Sequence, residues 1–115
     1  MHETAFNPGH IKALAASLPD RKKGEEFRSL LTKYGECIYR LKLAGKDDRG
    51  FLQAMNSQEQ AASKVGGFLL SLGSKELLKV TIKSDEILQK SSPSHKHRAE
   101  LLMDALMAAW EKAKP

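Results

Sequence analysis

The sequence is short of the residues on which small secreted or strand-built domains depend. Its single cysteine, Cys37, cannot form an internal disulfide, which excludes a disulfide-stapled scaffold and suits a reducing compartment. Zinc chemistry lacks a second cysteine, and His2, His10, His95 and His97 include no pair one helical turn apart, so neither a metal site nor a cofactor is expected. Aromatic residues make up only 6% of the chain. The core must then be built from Leu, Ala, Ile and Met, which suits helix packing better than a sheet sandwich. No apolar run approaches the roughly 20 residues that a spanning helix needs, and Met1 to Phe6 has neither the basic nor the apolar region of a signal peptide. A soluble, cytoplasmic protein with no membrane partner is the expectation.

Catalytic signatures are missing as well. No nucleophile elbow or Gly-rich phosphate loop is present, and Gly66-Gly67 lacks the spacing of a dinucleotide fingerprint. Glu25-Glu26 and Asp47-Asp48 fall in charged turns or at a helix start, where exposed acids are the ordinary reading. Cys37 has no activating base nearby in sequence and reads as a structural thiol. A non-enzyme is expected.

What is present is helical periodicity. At 115 residues, with 41% hydrophobic and 29% charged content, the chain fits one globular domain over residues 1–115. Asn7-Pro8 signals a helix start, Asn as cap and Pro in the first helical position. The helix it opens, Pro8 to Ser17, should turn Ile11, Leu14, Ala15 and Leu18 inward. A charged turn, Asp20 to Gly24, leads to a second helix from Gly24 or Glu25 to Leu43, where Phe27, Leu30, Leu31, Tyr34, Ile38 and Leu41 step by three or four residues. Gly35 within it suggests close approach of another helix or a bend, and Gly45 should cap its end. Phe51, Leu52 and Met55 read as a short helical turn. Ser57 with Gln60 matches a capping box, predicting a new helix to Leu72 with Ala61, Ala62, Val65, Phe68, Leu69 and Leu72 buried and Gly66-Gly67 against another backbone.

Residues 74–90 admit two readings. As a strand, Leu78, Val80 and Ile82 alternate with lysines and Thr81; as a helix, Leu77, Leu78, Thr81 and Leu88 turn inward, with Ile82 a further candidate and a break at Ser84-Asp85. A strand would need a partner, and its one candidate, Cys37 to Leu43, reads as helix, so helix is adopted. Ser92 or Ser94 should cap a last helix. Its apolar run from Ala99 to Ala113 leaves Glu100, Asp104 and Glu111 on one narrow side, so that it can pack on two neighbours, or on one neighbour and a second molecule. The expected fold is an all-α compact bundle of about five helices, walled mainly by Phe27–Leu41, Ala61–Leu72 and Leu101–Trp110.

Nineteen Lys and Arg against fourteen Asp and Glu give a net charge of +5, a bias toward anionic partners. Arg21, Lys22 and Lys23 lie in one turn, Lys75, Lys79 and Lys83 line one helix edge, and Lys96 and Arg98 begin the last helix. Brought together, these would meet an RNA or DNA backbone without reading sequence, since neither interleaved aromatics nor a recognition helix is apparent. Met103, Met107 and Trp110 form the expected protein interface, for a partner or a second copy. In size, charge and helicity the chain resembles the small basic helical subunits of RNA-guided CRISPR effector complexes. That resemblance implies a non-enzymatic subunit touching nucleic acid along its basic edge and neighbouring subunits through its last helix. The alternative is a protein-only interaction module, such as a phage or mobile-element adaptor, inhibitor or assembly chaperone.

Overall fold

The computed structural model describes residues 6–44, 49–90 and 93–113, without the side chains of 93–96, 98, 99, 103, 112 and 113. It shows five helices in an all-α bundle: α1 (Pro8–Ala16), α2 (Arg21–Leu43), α3 (Arg49–Ser71), α4 (Ser74–Lys90) and α5 (Pro93–Ala113). Helix α2 packs on α1 and α3, α5 packs on α3 and α4, and α1 also touches α4. The last helix therefore has two neighbours within the chain.

Helix α1 starts as its sequence dictates. The Asn7 side chain accepts a hydrogen bond from the Gly9 amide at 2.8 Å, with Pro8 in the first turn. Ile11, Leu14 and Leu18 are buried, while Ala15 is only half-buried. Helix α2 begins earlier than its periodicity suggests. Asp20 is its cap, accepting from the amides of Lys22 at 2.9 Å and Lys23 at 3.4 Å, so the expected charged turn is the helix's first turn. Phe27, Leu31, Tyr34 and Cys37 form its buried stripe, with Gly35 buried beside them. At the other end the Ala44 amide closes on the Arg40 carbonyl at 3.0 Å; the expected cap Gly45 lies outside the described residues.

Helix α3 runs unbroken through the expected start at Ser57. A capping serine needs extended backbone to turn its hydroxyl onto the following amides, and neither Gly nor Pro interrupts residues 51–65 to provide it. Ala61, Val65, Phe68, Leu69 and Leu72 are buried as the pattern requires. Gly66 and Gly67 do not meet another backbone: a Cβ at either would find nothing within 4 Å.

Residues 74–90 are helical throughout, with no break at Ser84-Asp85. The buried face is Leu77, Val80, Ser84 and Ile87, which shares only Leu77 with the one expected; Leu78 and Ile82 are 44% and 54% exposed, and Thr81 and Leu88 are half-buried. Apolar residues surround this helix, and its Lys75, Lys79, Lys83 edge takes the solvent side. In α5, Leu102, Leu106 and Ala109 face inward, and Glu100, Asp104 and Glu111 are exposed together. Ser94 lies inside α5 and is not its cap, and Ser92 is outside the described residues.

At the centre Phe27 stacks on Phe68 with ring centroids 5.3 Å apart, and Leu31, Val65, Leu69, Leu77, Val80 and Leu106 are also fully buried. Helix α4 is thus a wall of the core equal to the three expected. The α2–α3 hairpin runs beyond this core. From Ile38 to Gln60 no described residue is buried, and Leu43 and Leu52 are exposed by 68% and 66%.

Candidate nucleic-acid interface

One ion pair links the helix starts that carry two of the three expected cationic groups. Lys23 Nζ, on the first turn of α2, lies 3.2 Å from Glu76 Oε2, on the first turn of α4. The pair draws Arg21, Lys22 and Lys23 toward the helix start that carries Lys75 and, one turn on, Lys79. Lys83 continues the row, spaced by four residues so that all three share an edge of α4. Arg21, Lys22, Lys75 and Lys79 are exposed, and Lys23 and Lys83 are half-exposed.

Part of this charge is answered within the chain. Arg21 Nε stands 3.5 Å from Glu25 Oε1, and Lys83 Nζ stands 3.4 Å from Glu86 Oε2. Lys22, Lys75 and Lys79 have no ion-pair partner among the described residues. Exposed pairs contribute roughly 0–1 kcal/mol, so an incoming phosphate displaces them at little cost. Lys96 and Arg98 fall in the first turns of α5, but their side chains lie outside the described residues.

The expected protein interface is described at two of its three side chains. Met107 is 43% exposed, whereas Trp110 is half-buried against the core, and the Met103 side chain lies outside the described residues. The sequence reading missed other exposed aliphatics, Leu43, Leu52, Leu70, Leu78, Ile82 and Leu101. The signal for the first two was their position, in the part of α2 and α3 where no described residue is buried.

Lys12 and Arg28 were also missed. With Arg21 they line a depression of about 340 Å³ between α1 and α2. Once α2 is started at Asp20, Arg21 and Arg28 stand two turns apart on one face, which the later start concealed. Among the described residues, no group of three or more His, Cys, Asp or Glu side chains could hold a metal ion. No helix there is long and apolar enough to cross a membrane. Comparison with family models, with curated proteins and with solved structures gives no match.

Proposed function

We propose that the chain is a non-enzymatic binding subunit of a nucleoprotein assembly, meeting nucleic-acid backbone where the start of α2 adjoins the exposed edge of α4. The observation that supports this reading is the Lys23–Glu76 contact, which ties together two cation-bearing helix starts more than fifty residues apart in sequence. A second feature supports it. Three cations in the first turn of α2 oppose the helix dipole, at roughly 0.3–1 kcal/mol each when exposed, and local conflicts of this kind are where function is sought. Phosphate contacts of this type position a protein without reading sequence. RNA and DNA are both accommodated by such a surface.

The protein-only reading draws on the exposed aliphatics, Leu78 and Ile82 beside the lysine row and Leu43 and Leu52 on the hairpin. Charge reversal separates the two. Replacing Lys75, Lys79 and Lys83 together by Glu should weaken binding of single- and double-stranded oligonucleotides roughly a hundredfold or more, because contacts become repulsions. Far-ultraviolet circular dichroism should be unchanged, since all three side chains lie outside the core. Unchanged affinity in a folded variant rules out this edge.

A further inference from the structure

The depression between α1 and α2 differs in charge from two other hollows lined by described residues. Its rim holds Lys12, Arg21 and Arg28 against one carboxylate, Glu25. A neighbouring hollow on the outer side of α2 sets Arg28 and Lys33 against Glu25 and Glu36, and is balanced. A third, where α2 ends and α3 begins, has Arg40 as its one charged lining residue among those described. An anion is therefore drawn to the first.

Small residues make the depression. Its floor includes Ala15, Ala16 and Gly24, and a Cβ at Gly24 would stand only 2.9 Å from the Ala15 carbonyl oxygen. The helices approach closely there, so the long cationic side chains stand above a low floor. Asp20 already takes the amides of Lys22 and Lys23, so the attraction comes from side chains and not from the helix terminus. Among the described residues Arg21 makes a 3.5 Å contact with Glu25, between side chains 93% and 70% exposed, which leaves most of its guanidinium donors to turn to a ligand.

We propose that this groove seats a phosphate group, with Lys12, Arg21 and Arg28 as its donors. It rests on the nucleic-acid reading for the source of that phosphate, a backbone phosphodiester continuing from the α4 edge past Arg21 into the groove. The same chemistry would take a free phosphate compound, and the test separates the two.

The full chain, a Lys12→Gln/Arg28→Gln variant and a Lys64→Gln/Lys90→Gln variant of equal charge are compared. All four side chains are exposed, so each variant keeps the fold. A labelled single-stranded oligonucleotide is titrated across a salt series, and pyrophosphate is titrated with amide and side-chain resonances followed by NMR. Losing two phosphate contacts should make the log-affinity against log-salt slope shallower by about 1.4 in the groove variant, at roughly 0.7 per contact, and by clearly less in the charge-matched control. Equal slopes in the two variants, with no pyrophosphate-induced shift at Lys12, Arg21 or Arg28, would overturn the groove while leaving the α4 reading intact. Pyrophosphate shifts that vanish in the groove variant, without oligonucleotide binding at low salt, would uphold the groove as a free-phosphate seat and overturn the nucleic-acid reading. A chain that binds neither ligand overturns both.

Discussion

Ser84, in the middle of α4, has a buried hydroxyl oxygen with no hydrogen-bond partner among the described residues. Stranding a polar atom of this kind costs about 1–3 kcal/mol, and alanine is the better helix former at the same place. Ser84→Ala should therefore raise unfolding free energy by about 1 kcal/mol or more, read from urea denaturation. A loss of stability would mean that the hydroxyl has a partner. Tyr34 makes a different statement. Burial pushes its phenol pKa above the ordinary value of 10.0, opposed by a hydrogen bond with Gln58. The folded state thus holds the proton more tightly than the unfolded chain, so this contribution is fully present below pH 10 and is lost as pH rises through the folded-state value. Stability should fall above pH 10, and Tyr34→Phe should flatten that fall while costing about 1 kcal/mol at neutral pH for the lost hydrogen bond. A fall of the same steepness in the variant would assign it to other groups. At this scale the sequence was readable where hydrophobicity was one-sided, as at Phe27, Leu31 and Tyr34. It was not readable in α4, where Leu77, Leu78, Val80, Ile82, Ile87 and Leu88 surround the helix and only packing against α5 and α1 selects the inner face.

Helix ends and glycines carry the lessons at the scale of elements. The Asn7-Pro8 start was legible because a cap and a fixed φ coincide there. Asp20 was not, since the three cations after it suggest a solvated loop, and the cap's amide bonds appear only once the backbone is known. Ser57 misled in the opposite direction, because a capping-box spacing also occurs by chance along an uninterrupted helix. Helical glycines then predict opposite signs. Gly24→Ala would force α1 away from α2, an overpacking cost of about 1–3 kcal/mol that outweighs the roughly 1 kcal/mol gained in helix propensity. Gly67→Ala meets open space and should stabilise by about 0.5–1 kcal/mol. Thermal melts of the two variants should shift in opposite directions; two shifts of the same sign would contradict the close approach of α1 and α2.

Over the whole molecule, the all-α class and the number of helices followed from composition and periodicity, since few aromatics and a Leu-rich pattern leave helix packing as the way to fill a core. What composition could not convey was which surfaces become neighbours. Lys23 and Glu76 are far apart in sequence and nothing local pairs them, so the joining of two cationic segments emerges only from the tertiary arrangement. Exposed apolar side chains are found on the last helix, at Leu101 and Met107, and also at the end of α2, along α3 and on the outer side of α4, at Leu43, Leu52, Leu78 and Ile82. The central claim is that the joined basic edge meets phosphates. Its most direct test is the affinity of the native chain for a single-stranded oligonucleotide between about 50 mM and about 200 mM salt. With Lys22, Lys75 and Lys79 unpaired among the described residues, three contacts should give a log–log slope of about −2 or steeper. No measurable binding at the low-salt end, or an affinity indifferent to salt, would contradict it.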